Sequence, residues 1–317
     1  MITSIEEELK GARTVGITGH VRPDGDCTGS TLALYNYISE NMPEIQADVY
    51  LEDIEEHFNF LSGSDKIHHS ADKDPKYDVF IVIDCGTIDR VADWVHSYIN
   101  SASKTICIDH HVTNSAFASV NHVLPKISSS CEVLYELLDC SKISKATAEC
   151  LYVGIIHDTG VFKYQATTGR TMEIAGVLMS KGIDYTSIID DTFFRKSYVQ
   201  NILLGKALIK SELLLDGRLI YSYLTKAELD QYGVSGKDMG GIIDQLRFTE
   251  GVEVAMFIYD LDKTTVKVSL RSVKSVDVNS ISNVFGGGGH IRAAGFSTKE
   301  PVDEIVAKVA LLTSEQL

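Results

Sequence analysis

Four short segments of this chain gather the residue types that bind cations. Gly19-His20-Val21-Arg22-Pro23-Asp24-Gly25-Asp26-Cys27-Thr28-Gly29-Ser30 carries one imidazole and two carboxylates. Asp84-Cys85-Gly86 adds a carboxylate, Asp109-His110-His111 adds an acid and two imidazoles, and His157-Asp158-Thr159-Gly160 adds a further acid. Brought to one place, His20, Asp24, Asp26, Asp84, Asp109 and His110 would crowd like charges that cannot all stay ionised without protons or cations. Mixed carboxylate and imidazole donors suit divalent Mn, Co, Fe or Mg better than a thiolate-rich zinc site does. The set is too large for one ion and matches two ions sharing a carboxylate, a device for phosphoryl displacement with the metals about 3.5–4 Å apart. Locally, Pro23 is expected to hold Arg22 extended. An extended Asp24-Gly25-Asp26 would then point both carboxylates one way. Lone acids such as Asp89 and Asp139 read as turn or cap residues, and His68-His69 reads as solvated surface.

The elements that must position these groups follow a βαβ rhythm. Val15-Gly16-Ile17-Thr18, Val79-Phe80-Ile81-Val82-Ile83 and Thr105-Ile106-Cys107-Ile108 are short, nearly continuous apolar runs, as in strands buried on both faces of a parallel sheet. An amphipathic stretch from Thr28 to Ile38 separates the first two. In open α/β sheets ligands bind at the carboxyl ends of the strands, where the acids fall. From about Ser128 to Leu214 the pattern is helical, opening on Ser128-Ser129-Ser130 as a cap and continuing around 145–157, 170–180 and 198–213. A second α/β pattern starts near Leu215, with strands expected at 219–224, 252–261 and 265–270 and turns at Asp216-Gly217 and Asp262-Lys263. The predicted fold class is α/β: a larger N-terminal domain with a parallel sheet flanked by helices (1–186), a connecting helical segment (187–214) and a smaller C-terminal domain with a mixed sheet (215–317).

Composition bounds the partners. Of 317 residues, 44% are hydrophobic and 23% charged, which excludes wholesale disorder. No apolar run reaches the ~20 residues of a membrane span, and the acidic N-terminus lacks the plan of a secretory signal. Six cysteines with no C-x-x-C pair suit reduced thiols in the cytoplasm. The net charge of −15 opposes long nucleic acids. It is uneven, however: residues 1–190 hold 14 Lys+Arg against 28 Asp+Glu, and residues 191–317 hold 15 against 16. The excess lies where the cation ligands lie.

Near the C-terminus, Phe285-Gly286-Gly287-Gly288-Gly289-His290-Ile291-Arg292-Ala293-Ala294-Gly295 offers backbone N–H groups that can nest a phosphate, with His290 as a further donor. Arg271, closing a strand, suits a bidentate phosphate clamp. Arg292 reads as a solvated arginine, and Tyr221, Tyr223 and Phe248 as packing residues.

As a set, these motifs resemble the DHH phosphoesterase superfamily, with Asp109-His110-His111 as its signature and the 285–295 segment as that of the DHH-associated C-terminal domain. The resemblance spans almost the whole chain. It implies one metal held by His20, Asp24 and Asp84 and a second by Asp26, Asp84, His110 and Asp158, with Asp84 bridging. It further implies that His111 faces the substrate, that Asp109 orients its neighbours, and that Arg271, Gly287, Gly288, Gly289 and His290 bind the nucleotide. His157 departs from the pattern, where relatives carry a small hydroxyl residue, and its role is left open. A two-domain chain of this length resembles the branch that hydrolyses oligoribonucleotides of a few residues, linear pApA and pAp (adenosine 3′,5′-bisphosphate), with two divalent ions, Mn²⁺ first and Mg²⁺ or Co²⁺ as alternatives. The expected partners are short single strands or mononucleotide bisphosphates, with no long duplex and no membrane; the oligomeric state stays open, a homodimer included. The rival readings are a DHH-type inorganic pyrophosphatase, which should lack the glycine-rich clamp, and a nucleotide sensor without turnover, which should lack metal ligands.

Overall fold

The structure is a computed structural model that describes residues 2–71, 76–234 and 239–317. The chain divides into two compact units, Met1–Arg195 and Lys196–Leu317. The helix at Tyr198–Ile209, inside the segment expected to connect the domains, counts with the second unit.

In the first unit, helix α1 (Ile5–Glu8) precedes β1 (Thr14–Thr18), α2 (Gly25–Asn41), β2 (Gln46–Tyr50), β3 (Ile67–His68) and β4 (Val79–Ile83). Then come α3 (His96–Ser101), β5 (Lys104–Asp109), β6 (Val120–Val123), α4 (Ser130–Leu137), α5 (Lys145–Asp158), α6 (Gly169–Ser180) and α7 (Tyr185–Ile189). The six strands form one sheet in the order β3-β2-β1-β4-β5-β6. Every pairing in it is parallel. The parallel sheet flanked by helices matches the sequence expectation, with β2, β3 and β6 added. Strand order reverses between β1 and β4, and such a switch point opens a crevice beyond the carboxyl ends of the strands. Val79–Ile83 is buried throughout, as a central strand covered on both faces requires.

Helices α2 and α5 pack closely because two glycines face the contact. A Cβ at Gly29 would lie 2.5 Å from the Cys150 carbonyl, and one at Gly154 would collide with Cys131 Sγ and sit 2.6 Å from Asp26 Oδ1. The near approach of backbones brings the start of α2 against the end of α5, and so Asp26 toward Asp158.

The second unit holds α8 (Tyr198–Ile209), β7 (Glu212–Leu214), β8 (Leu219–Leu224), α9 (Lys226–Asp230), α10 (Ile242–Arg247), β9 (Val254–Asp260), β10 (Val266–Ser272), α11 (Val278–Val284), β11 (Gly288–His290), β12 (Ala293–Thr298) and α12 (Val302–Ser314). The helical pattern expected to run to 214 stops earlier, because 212–214 pairs with β8 as a strand. The sheet order is β11-β12-β10-β9-β8-β7, with β8 and β9 parallel and the rest antiparallel, the expected mixed sheet. Strand β10 alternates: Val266, Val268 and Leu270 enter an apolar core, while Lys267, Ser269 and Arg271 stay partly exposed.

The buried Glu253 pins the exit from β10. Its Oε1 accepts the N–H groups of Lys274 (2.9 Å), Ser275 (2.6 Å) and Val276 (3.1 Å). Burial alone would raise its pKa, but these donors outweigh it and hold the carboxyl below its ordinary value.

Two stability outcomes are expected. Gly154→Ala overpacks the α2–α5 contact and should cost about 1–3 kcal/mol in urea unfolding, with the helix content of the folded state retained. The contribution of Glu253 is complete above its unfolded pKa, ~4.3, and is lost as pH falls through its lower folded value. Glu253→Gln should therefore destabilise the protein at pH 7 and flatten the loss of stability below about pH 4.3, as read by urea midpoints across pH.

Candidate metal centre

The first acidic segment does not run extended. Asp24 is the N-cap of α2, its Oδ1 accepting the N–H groups of Asp26 and Cys27 at 3.1 Å each, so a helix start delivers both carboxylates. Nor is Arg22 extended. Its φ is 55°, in the left-handed region, and its N–H donates to Glu52 Oε2 at 2.7 Å, a contact the turn makes available. Asp84, directly after β4, also takes a left-handed φ of 57°. That conformation costs a non-glycine residue about 1–3 kcal/mol, offset in part by the Asp84 N–H bond to the Ile108 carbonyl at 3.0 Å.

These turns bring His20, Asp24, Asp26, Asp84, His110, His111 and Asp158 together at the β1–β4 crevice. Asp84, 2% exposed, divides its oxygens: Oδ2 lies 3.5 Å from His20 Nε2, while Oδ1 lies 3.6 Å from His110 Nε2 and 3.7 Å from His111 Nδ1. On the first side, His20 Nε2 is also 3.6 Å from Asp24 Oδ2. On the second, His110 Nε2 is 3.1 Å from Asp158 Oδ2 and 3.9 Å from Asp26 Oδ2. His20 Nδ1 faces the Val21 carbonyl at 2.9 Å and His110 Nδ1 faces the Ile127 carbonyl at 3.4 Å. Both rings thus commit Nδ1 to backbone and aim Nε2 at carboxylates, the arrangement of metal-binding histidines.

Electrostatics asks for cations here. No Lys or Arg pairs with Asp24, Asp26, Asp84 or Asp158 among the described residues. Burial, joined by the charges of Asp84 and Asp158, drives the Asp26 pKa upward, and burial also raises that of Asp158. Burial would lower the pKa of His20 and His110. Hydrogen bonds to Asp24 and Asp84 for His20, and to Asp158 for His110, override it and push both up to about 10. The cluster therefore draws in positive charge, and oxygen with imidazole donors fits divalent ions. Groups of donor atoms within 4.8 Å of one another are Asp84-His110-His111, Asp26-His110-Asp158 and His20-Cys27-Asp84. Cys27 was not foreseen there; it is fully buried, and burial pushes its thiol pKa well up.

Asp109 stands behind the crevice rather than in it. Fully buried, it accepts His111 Nδ1 at 2.7 Å and Asn114 Nδ2 at 2.6 Å. Its hydrogen bond is the chief reason that the His111 pKa is raised. The serine run at 128–130 does more than cap a helix. Ser129 does cap α4, but Ser130 Oγ also donates to Asp84 Oδ1 at 3.0 Å. Asp26 in turn accepts the Ser130 and Cys131 N–H groups at 2.6 and 2.9 Å. Only long-range pairing reveals these partners of Asp26 and Asp84, whereas Asn114 reaches Asp109 from five positions along the chain. His157, whose role was open, packs under the start of α2: a Cβ on Gly25 would collide with its ring, and its Nε2 meets Thr192 Oγ1 at 3.0 Å. Of the surface histidines, His68 stacks on Tyr50 at 5.0 Å, and His69 lines a cleft described below.

In the second unit, Arg271 pairs with Ala293 and Ala293 with His290, so the three form one cross-strand row. At about 4.8 Å per strand, Arg271 and His290 flank the small Ala293. Arg271 Nη1 donates to the Leu270 carbonyl at 3.0 Å, and no carboxylate pairs with its guanidinium among the described residues. Gly288–His290 is an edge strand, because a turn at Ile291-Arg292 folds it onto Ala293–Gly295. Positive φ survives at Gly286 (72°) and Gly289 (150°). A Cβ at Gly287 would stand 2.5 Å from Phe296 Cβ. Arg292 is tied to the Val276 carbonyl at 2.9 Å and is a structural residue.

Residues 14–155 match the N-terminal domain model of the DHH family, and residues 216–315 match the DHHA1 domain. The chain belongs to the DHH superfamily. The bifunctional oligoribonuclease and PAP phosphatase NrnA of Thermus thermophilus is 28% identical to it, over 99% of this chain and 93% of the relative. The protein of the same name from Bacillus subtilis is 26% identical over 95% of each. Among solved structures, an exopolyphosphatase-related protein from Bacteroides fragilis superposes with a TM-score of 0.85 at 26% identity, covering 98% of this chain and 94% of that one. No helix among the described residues of this DHH protein is long and apolar enough to cross a membrane.

Asp109→Asn removes the charge that orients His111 without touching the carboxylates around His20 and His110. Phosphoester turnover should fall about 10–100-fold, while metal content measured on the dialysed protein stays at the wild-type level.

Proposed function

We propose that this DHH protein is a metal-dependent phosphoesterase of the NrnA type, hydrolysing short oligoribonucleotides, linear dinucleotides such as pApA, and pAp. The observation that carries the reading is Asp84, whose two oxygens serve two separate histidine clusters. His20, Asp24 and Asp84 would hold one divalent ion, and Asp26, Asp84, His110 and Asp158 the other. Mn²⁺ is the first choice of resident ion, with Mg²⁺ or Co²⁺ as alternatives. When bound, such a pair supplies an activated water and charge for the oxygens of the displacement.

The remaining work falls to protein groups. Asp109 holds His111 by Nδ1, so that a proton on Nε2 faces the developing charge on the scissile phosphate or the oxygen it leaves. Asp109 also keeps the imidazolium favoured. In the C-terminal unit, Arg271 and His290 flank the Ala293 row and bind the nucleotide with the backbone of Gly287, Gly288 and Gly289. Water adds across the phosphorus–oxygen bond, so pApA yields two pA and pAp yields pA and inorganic phosphate. The sensor reading fits poorly, because the carboxylates of Asp24, Asp26, Asp84 and Asp158 stand beside the imidazoles of His20 and His110. The acidic excess of the first unit favours short substrates over long duplexes. All six cysteines are unpaired, which suits the cytoplasm.

A Mn²⁺-supplemented assay of pAp, pApA, a short RNA, a longer RNA and pyrophosphate tests the reading. Cleavage of pAp and the short oligonucleotides is expected; exclusive pyrophosphate cleavage would reverse it. Asp84→Ala should abolish turnover, and near-normal rates in that variant would remove the two-metal assignment.

A further inference from the structure

The carboxyl edge of the first unit's sheet carries a second concavity that the metal centre does not use. It is a cleft of about 530 Å³, a size typical of small-ligand sites. Its walls come from the segments that leave four strands: Arg22 after β1, Glu52, Asp53 and Glu55 after β2, His69 after β3, and Trp94 beyond β4. Arg22 and Pro23 also join His20 to Asp24, so the cleft and the metal centre share a wall.

Three features mark this cleft as built. Trp94 is the chain's one tryptophan, and its ring is only partly buried. Tyr50 fixes that ring edge-on, at 6.1 Å and 68°. Arg22 is held in its left-handed conformation by Glu52, and its guanidinium has no ion-pair partner among the described residues although three carboxylates line the same cleft. Strain of this kind tends to sit at functional positions. Finally, no lysine lines the cleft among the described residues. A flat aromatic ring beside hydrogen-bond acceptors suits a nucleoside, whose base stacks and whose hydroxyl and amino groups donate. The same acids repel a further phosphate.

Resting on the phosphoesterase reading above, we infer that this cleft is the subsite for the second nucleoside of an oligonucleotide, the one beyond the scissile phosphate, with its base stacked on Trp94. A dinucleotide such as pApA fills it. pAp, which carries only a phosphoryl group beyond the bond that breaks, does not. The acidic walls close the subsite to additional phosphates, which gives the preference for very short chains a structural cause in this unit.

The two substrates separate the idea from its foundation. In Trp94→Ala, the ratio of kcat/KM for pApA to that for pAp should fall about tenfold or more, chiefly through KM, and Trp94→Phe should restore most of it. A ratio that stays at the wild-type value in Trp94→Ala, whether or not both rates drop, overturns the subsite. Because Trp94 is the sole tryptophan, the wild-type enzyme supplies a second reading that no folding defect can confuse. Mixing metal-loaded protein with pApA in a stopped-flow instrument should quench tryptophan emission before turnover, and pAp should quench it far less. Equal responses to both also overturn the subsite. Wild-type protein that cleaves neither nucleotide overturns the functional reading, and the subsite with it.

Discussion

The confinement of like charge at one sheet edge governs this molecule. Asp26 and Asp84 are nearly inaccessible to water, Asp24 and Asp158 stand beside them, and the described residues offer only histidines in return. Burying one unpaired carboxylate costs several kcal/mol, so the fold commits much of its local architecture to making the cluster tolerable. The start of α2 caps itself on Asp24, the start of α4 is capped by Asp26, and Ser130 donates to Asp84. Even the close α2–α5 contact through Gly29 and Gly154 serves this end, since it sets how near Asp26 comes to Asp158.

The topology makes such a cluster accessible in the first place. Parallel strands end together, and the reversal of order between β1 and β4 leaves a gap that neither crossover helix covers. Groups placed just after β1, β4 and β5 therefore meet without long loops. The second unit works differently. Its antiparallel β10 and β12 alternate an apolar face against a polar one, so its polar side chains are spread along a surface row rather than sunk into a crevice.

Much of this was legible in residue order. Continuous apolar runs such as Val79–Ile83 announce buried parallel strands, and an acid or imidazole at the end of each run announces the crevice. Strand β2, Gln46-Ala47-Asp48-Val49-Tyr50, escaped notice because its first half is polar and half-exposed at the sheet's margin. Arg22 was misread because the rule for residues before proline is local, whereas Glu52 thirty positions away decides its conformation. Asp24-Gly25-Asp26 looked extended for the same reason: nothing in the tripeptide says that a helix begins inside it. Ser130 and Asn114 are ordinary polar residues until the fold sets them beside Asp84 and Asp109. Chemistry-bearing side chains were visible, and their supports were not, since most supports are defined by distant contacts and Asn114 by a turn that no residue pattern marks.

Asp26 has a wider consequence. Its carboxylate grips the first amides of α4 from 104 positions earlier in the chain, so one side chain belongs both to the acidic cluster and to the scaffold. Discarding the chemistry while keeping the architecture would need a replacement for that joint. Drift toward an inert scaffold is thereby resisted by folding itself, independently of any selection on catalysis.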